Sequence, residues 1–472
     1  MAGQDNASCF AGLCRSLLAK RVLLSYSYRM VINNKIQINR ASEPAVMKSI
    51  SNALYWILVL ICATHSSWAS NGINAIGFGA ESVGMGGADL AVALDTSALN
   101  TNPAGLAQLD EQSLDLYLAL ANSIEIRHKD MFSNDSTNDN DWITIGSAGY
   151  AHPVGNLTFG LGLFAQGGVG VTYKNLNTAF GSQDELSSQL RIARITPGLS
   201  WAATNNLFLG ASLLITYADI EQKMFPRTSA ENSVNPAQSF FGMHIQDADT
   251  LNTGYKLGVL YSPMHNLRLG MAYTSKTELS LDGGRARVNM TSIGLGVVTY
   301  SDAEVSGIDQ PEELGIGVAW NVNDHWLISA EFNLIRWSEA IKTSVLKLDN
   351  PDNVNAPPTI NQTSPVNWND QRVFALGAKY KHANNSVFRA GINMANNPVP
   401  DASLSPLLAP IAKYHLTLGY GKLLGQHWSV NAALEYQIRE SAVYTNPDLP
   451  FGVGAFTASE TAAMHIDFSR RW

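Results

Sequence analysis

The chain carries few residues able to do covalent chemistry, and they are badly placed for it. Of its three cysteines, Cys9 and Cys14 lie near the start and Cys62 lies in the apolar run ALYWILVLICAT. Beyond Cys62 no disulfide, thiolate nucleophile or cysteine metal site is available. A serine nucleophile needs a histidine base beside it, yet no G-x-S-x-G occurs and the ten histidines are scattered. Isolated ones such as His152 and His415 read as wall residues. Neither metal-ligand spacing nor a phosphate-binding glycine loop stands out, so no enzyme, cofactor or metal is expected. What remains is binding chemistry. Arg194, Lys256 and Arg389 fall on the polar side of alternating segments, where a cation can meet an anionic head group. Phe225, Pro226, Phe240, Phe241 and Met243 cluster in one connection, as an apolar groove would require, or pack that loop's own core. Leu404, Leu407, Leu408 and Ile411 in a later connection can add to either.

Composition says what must position these groups. Of 472 residues, 46% are hydrophobic and only 15% charged, with 38 glycines, ten Trp and sixteen Phe. The charged share is well below the ~25% of soluble domains, and it suits a transmembrane barrel whose lipid face cannot carry charge. The net charge of −8, with no basic run or basic aromatic module, argues against a nucleic-acid partner.

Residues 47–69 read as a signal peptide: Lys48, then the apolar run, then Ser67-Trp68-Ala69 with small residues at the −3 and −1 positions and cleavage after Ala69. The run is too short for the ~20 residues of a spanning helix. Ile61 before Cys62 is not the small residue that lipoprotein processing requires. Residues 1–46 are then expected to be a misassigned extension, with Met47 as the initiator.

From about residue 111 the pattern has period two. Leu114, Leu116, Leu118 and Leu120 share a face; so do Leu207, Leu209, Ala211, Leu213, Ile215 and Tyr217, opposite Gly210, Ser212 and Thr216. Fourteen strands are expected, near 113–127, 142–152, 156–173, 188–204, 206–224, 251–262, 266–281, 304–321, 324–340, 368–382, 385–396, 411–423, 426–441 and 461–472. Short turns alternate with long polar connections near 128–141, 174–187, 225–250, 282–303, 341–367, 397–410 and 442–460, which puts short turns inside and long loops outside. Aromatic residues such as Trp201, Tyr217, Trp320 and Tyr420 at strand ends fit a membrane girdle. Ionisable residues in mid-strand, among them Glu331, Lys379 and Glu435, read as lining a wet lumen. The predicted architecture for 111–472 is an all-β, 14-stranded antiparallel transmembrane outer-membrane β-barrel. It is expected to be monomeric, surrounded by outer-membrane lipids and lipopolysaccharide. In the last strand Met464, Ile466, Phe468 and Trp472 share a face, as a signal to the barrel-assembly machinery would. In strand three, Gly162, Gly167, Gly168 and Gly170 crowd one stretch, and Gly167-Gly168 interrupts the alternation, which predicts a bulge.

The remaining stretch, residues 70–110, is too glycine-rich for a stable helix and lacks alternation, so it needs outside support to order. Its G-x-G-A-x-S-x-G-M-G-G-A followed by D-T-S-A-L-N-x-N-P-A-G-L, with Asn100, Asn102, Pro103 and Ala104 at its heart, resembles the N-terminal hatch of the FadL-type outer-membrane long-chain fatty acid transporter family. Pro311–Trp320, His325-Trp326 through Arg336-Trp337-Ser338, Trp368–Gly377, and Phe388–Gly391 leading to Pro398–Asp401 resemble the same family in the same order. The resemblance implies a hatch inside the lumen and passive uptake of long-chain fatty acids or similar hydrophobic compounds. It also implies a lateral exit at a kinked strand, for which Gly162, Gly167, Gly168 and Gly170 are the candidates. Matching Tyr217-Ala-Asp-Ile-Glu221 to the family's strand five puts Gln222 where relatives have a basic residue; Lys223 follows the lipid-facing parity. That departure tells against a carboxylate site and would suit aromatic or aliphatic hydrocarbons, which other branches carry; fatty acid is the first expectation and hydrocarbon the alternative. A general porin is the alternative of another class, but porins lack a plug of this length.

Overall fold

Strict alternation between an apolar and a polar or small face allows a strand to stand between lipid and lumen, and the chain builds a closed ring from such strands. The computed structural model describes residues 71–472 except Leu94, 409–410, 446–453 and the side chain of Ala237. The expected signal peptide and the extension before it lie outside the described residues. The ring comprises β1 (Ser113–Lys129), β2 (Trp142–Val154), β3 (Leu157–Asn177), β4 (Gln183–Thr204), β5 (Leu207–Ala230), β6 (Phe240–Met264), β7 (Leu267–Thr274), β8 (Glu313–Asn321), β9 (Trp326–Ile335), β10 (Gln371–His382), β11 (Ser386–Ala395), β12 (Tyr414–Leu424), β13 (Trp428–Val443) and β14 (Phe456–Arg471). Each pairs antiparallel with the next, and β14 returns to β1 from Ser113↔Arg471 to Lys129↔Phe456. Fourteen strands are therefore found where fourteen were expected.

The outward face is the apolar one. Leu116, Leu118, Leu213, Leu257, Ile316, Leu376, Leu418 and Leu434 are exposed, flanked by exposed Trp201, Tyr261, Trp320, Trp326, Tyr414 and Tyr420. Tyr217, expected in that girdle, is instead buried.

Two expectations about loops need correction. The stretches 174–187 and 225–250 are largely strand: β3 to β6 run 21, 22, 24 and 25 residues, about twice the ~9–11 a bilayer needs. Their upper parts carry polar residues on the outer face, because they stand clear of hydrocarbon, and this hid them from a search for apolar alternation. Strands seven and eight are shorter than expected. Residues 275–280 and 307–312, assigned to their outer ends, are in no strand, and the expected connection 282–303 instead falls largely in two separate strands, Leu281–Met290 and Gly296–Ser306, which pair with each other and continue from β6. Thr343–Pro351 and Thr359–Pro365 extend this loop sheet.

The ring has one gap. β2 pairs with β3 only from Ala148↔Leu163 to Val154↔Leu157, so Trp142–Ser147 pair with β1 alone. Above the gap the edges meet again, where Asp139 N–H donates to the Thr172 carbonyl (2.9 Å) and Thr172 N–H to Asn138 Oδ1 (2.8 Å).

At the seam, Trp472 exchanges two backbone hydrogen bonds of 3.1 Å with Gln112, and its indole lies 5.1 Å from the Arg470 guanidinium. Phe468 is outward and exposed, opposite Leu116 and Val430. Deleting Trp472 should lower the yield of folded barrel several-fold, read as loss of the heat-modifiable band on electrophoresis. A normal yield would show that the terminal aromatic plays no part in assembly.

Candidate functional site

Residues 71–109 line the inside of the ring, and their anchors show how. A single helical turn, Ala80–Gly84, begins after Gly79, and its first N–H groups point at Asp467 of β14: Ala80 N–H donates to Asp467 Oδ2 at 2.7 Å. Glu81 bridges Lys379 Nζ and Arg389 Nη2, each at 2.8 Å. Further along, Glu331 Oε2 accepts from the N–H groups of Asp89 (2.9 Å) and Leu90 (2.8 Å). Asp95 caps the turn Thr96–Leu99, and Thr96 N–H donates to Asp115 Oδ2 at 2.9 Å. Carboxylates on the wall thus meet bare helix and turn N–H groups, the pairing that unsatisfied N-termini favour.

The Asn-Pro-Ala triplet is the most tightly held point. Asn102 Oδ1 accepts from Ala104 N–H (3.2 Å), capping the turn Pro103–Gln108, in which Pro103 takes the first position. Its Nδ2 donates to Leu90 O (2.7 Å) and, on β6, to Val259 O (3.1 Å). The wall must be flat here: a Cβ at Gly210 would meet Ala104 N at 2.3 Å, and one at Gly258 would meet Asn102 Oδ1 at 2.1 Å. Asn100 Nδ2 donates to Gln166 Oε1 at 2.8 Å.

The three lumen cations are committed to this same segment. Arg389 holds Glu81, Lys256 Nζ donates to Thr101 O at 3.1 Å, and Arg194 reaches Asn100 Oδ1 (3.5 Å), Gln310 Oε1 (3.2 Å) and Thr216 Oγ1 (3.3 Å). All three are buried. The expected wet lumen is therefore corrected: in this half of the ring the mid-strand charges face the interior segment and one another. His415 and His465 flank Glu435 at 2.9 and 3.2 Å. A small cavity of about 60 Å³, with Arg194 and Lys256 facing Asp89, Glu313 and Glu331, has room for a few ordered waters only. No group of His, Cys, Asp or Glu suited to a metal is found among the described residues.

The other half of the interior is apolar. A continuous cluster includes Val169, Val171, Tyr173, Leu186, Leu190, Ile192, Ile220, Ile245, Tyr300, Trp337, Trp368, Leu404, Leu407 and Ile411, with Leu408 packed against it. Phe225 is buried in it at positive φ, and Phe240, Phe241 and Met243 pack against it partly buried. Phe240 stacks on Phe180 at 5.1 Å. These aromatics belong to strand ends and the packed interior, so the groove reading does not describe Phe225. Gln222 lies opposite Ser188 of β4, on the inward parity, and Lys223 pairs outward with Glu185.

The glycines of β3 sit where the gap lies. Gly162, below it, cannot carry a Cβ because the Phe164 ring would be 2.3 Å away. The register against β4 shifts between Ala165 and Gly167. One inserted residue reverses the parity of a strand: Phe164 and Gln166 face inward below the bulge, whereas Val169, Val171 and Tyr173 face inward above it. Gly168 has φ 142, a backbone that side-chain-bearing residues rarely adopt. Its N–H donates to Ile73 O at 2.9 Å, and Asn74 bridges Gly167. Gly170 follows, opposite Gln189.

Four residues here escaped sequence reasoning: Glu81, Phe78, Trp337 and Trp368. Phe78 meets Phe164 edge-on at 5.8 Å. Trp337 and Trp368 pack at 5.3 Å, and Trp337 lies over Gly72, where a Cβ would clash at 2.5 Å. Both tryptophans stand in stretches that had been singled out, but nothing in their spacing announced that they meet.

Residues 60–467 match the family model described as "Outer membrane protein transport protein (OMPP1/FadL/TodX)". A comparison with curated proteins found no match. Among solved structures, the chain is similar to the P. putida toluene transporter TodX (20% identity, 84% of this chain and 99% of that one, TM-score 0.69). It is also similar to the Ralstonia pickettii toluene transporter TbuX (21%, 84% and 98%, 0.66) and to a Pseudomonas aeruginosa FadL homologue (18%, 87% and 99%, 0.65).

Burial alone would raise the Glu81 pKa, but the Arg389 guanidinium and Lys379 ammonium more than reverse this and hold it well below the ordinary carboxylate range. A depressed native pKa stabilises above the unfolded value and is lost only as pH falls through the native one, so this anchor should persist at neutral and mildly acid pH. Glu81→Gln strands two buried cations and should loosen residues 71–109 by about 3 kcal/mol. Hydrogen exchange of that segment should rise while the heat-modifiable barrel band stays. Unchanged exchange would show that Glu81 is not an anchor.

Proposed function

We propose that this chain, which belongs to the outer membrane protein transport family (OMPP1/FadL/TodX), carries hydrophobic compounds across the bacterial outer membrane without energy coupling, residues 70–110 acting as its hatch. The observation behind this reading is the continuity of the apolar cluster. It begins under the loop sheet, takes in Trp337 and Trp368, and reaches Val169 and Val171 at the edge of the gap between β2 and β3. The other edge presents Ile143 and Ile145 on the inward parity. A molecule following that lining stays among apolar side chains until it meets lipid. The bulge at Gly167 and Gly168 serves this route, because it is the parity reversal that turns Val169 and Val171 inward.

For the ligand, the placement of charge favours neutral hydrocarbons. Arg389, Lys256 and Arg194 hold the interior segment, and Gln222 offers no charge, so a carboxylate would find no uncommitted cation among these candidates. Long-chain fatty acid stands as the second reading. It is supported by Arg194, whose partners are amides and a hydroxyl, two residues below Ile192 of the apolar cluster.

Uptake of labelled toluene and labelled oleate by cells lacking their own transporter should rise when this chain is expressed, toluene more than oleate. Dependence for oleate alone would select the fatty acid reading, and no dependence for either would reject transport of both. Separately, Gly168→Leu forces a strained φ beside Ile73 and should cut uptake several-fold with the barrel still folded. Normal uptake by that variant would remove the lateral route.

A further inference from the structure

The apolar cluster along the proposed route contains two hydrogen-bond donors that the fold leaves unused, and each has a partnered counterpart in the same cluster. Tyr300 donates its hydroxyl to the Pro357 carbonyl at 3.0 Å, whereas the fully buried Tyr173 hydroxyl has no partner among the described residues. Trp337 donates its indole N–H to Gln371 Oε1 at 3.1 Å. The indole N–H of Trp368, packed on it at 5.3 Å, has no partner there. Buried polar groups are paired in the great majority of cases, so two exceptions in one apolar cluster need a reason.

Both residues stand on the route. Trp337 lies over Gly72, next to Ile73, whose carbonyl receives the Gly168 N–H, which puts Trp368 on the inner side of the lining. Tyr173 lies on β3 above the bulge, on the inward parity of Val169 and Val171. Thr172, one residue before it, closes the top of the gap against Asn138 and Asp139. A molecule following the lining toward the gap therefore meets Trp368 and then Tyr173.

The unused groups select a kind of ligand. An indole N–H can only donate, and a tyrosine hydroxyl can donate as well, so both suit an oxygen acceptor. Bare hydrocarbon uses neither. A carboxylate would accept from both, but no lysine or arginine belongs to the cluster. The charged neighbour on that side is the Asp130 carboxylate, 3.1 Å from His128, whose ring lies 5.7 Å from the Tyr173 ring. An anion without a cation is costly in such surroundings, and a neutral oxygen is not.

We propose that Tyr173 is a specificity-determining residue whose hydroxyl donates to the oxygen of a neutral ligand, so that the chain selects apolar molecules bearing one carbonyl or hydroxyl oxygen over bare hydrocarbons. Trp368 is the donor met earlier on the same path. The proposal rests on the transport reading and narrows its neutral ligands to a class.

The test is competition. Cells lacking their own transporter, expressing this chain and given labelled toluene, are challenged with unlabelled acetophenone or ethylbenzene, which share a carbon skeleton and differ by a carbonyl oxygen. Relative to its partition into hydrocarbon, acetophenone should compete at the lower concentration. Tyr173→Phe should shift the ratio of the two half-competing concentrations about tenfold against acetophenone, the loss expected for one hydrogen bond. Tyr436→Phe, on the outer wall where its hydroxyl bonds Glu460, should leave the ratio unchanged. Tyr173→Phe removes no hydrogen bond within the protein, so its unfolding temperature should hold, while that of Tyr300→Phe should fall. Absence of chain-dependent toluene uptake would remove transport of neutral aromatic compounds and this proposal with it. If toluene uptake depends on the chain, the proposal alone is overturned by an unshifted ratio in Tyr173→Phe, by equal loss for both competitors, or by as large a shift in Tyr436→Phe. A fall in unfolding temperature for Tyr173→Phe as large as for Tyr300→Phe also overturns it, because the hydroxyl would then have a partner inside the protein.

Discussion

In hydrocarbon a backbone N–H or C=O without a partner costs several kcal/mol, and this constraint shapes the structure. A closed ring of strands satisfies it, because β14 returns to β1 and no edge remains. The gap between β2 and β3 is the exception, and the interior segment supplies part of the missing pairing. Ile73 O receives the Gly168 N–H, and Asn74 bridges Gly167. The bulge that separates the strands also offers a backbone group to a surrogate partner, so the ring can open on one side without exposing its full edge.

The same accounting explains the buried charges. A carboxylate inside a barrel must have hydrogen-bond donors or cations around it, or it costs more than the fold can offset. Glu331 and Asp467 take the bare N–H groups at turn starts, and Glu81 takes two cations. These are requirements of the wall as much as of the interior segment, since each wall charge would lose a partner if the segment left. The segment and the lower ring are therefore one electrostatic unit, while the upper ring packs through apolar contacts.

Much of this was legible in the sequence because lipid on one side imposes strict alternation. The strand count, the closing aromatic and the bulge at Gly167 and Gly168 all follow from local patterns. The upper parts of β5 and β6 were not legible, because beyond Tyr217 the outer face turns polar while the inner face keeps its apolar residues, such as Ile220 and Ile245, and the contrast expected of a lipid-facing strand is lost. The role of the cations was not legible either. Parity correctly turned Arg194, Lys256 and Arg389 inward, but what they meet is set by contacts such as Glu81 with Lys379, 298 residues apart. Local pattern shows which way a side chain points and is silent about what fills the space it points into.

Division of the interior also bears on the route. Moving an apolar molecule out of an apolar lining costs roughly 0.8 kcal/mol per methylene group when it meets water. An exit along the axis would have to pass Glu81, Lys379, Arg389 and Glu331 and then enter an aqueous compartment, with that cost undiminished. An exit between β2 and β3 meets Val169, Val171, Ile143 and then lipid, so the apolar surface is never hydrated. For an apolar molecule the second path has the lower barrier, and the charged interior segment anchored at Glu81, Glu331 and Asp467 makes the axial one the costlier.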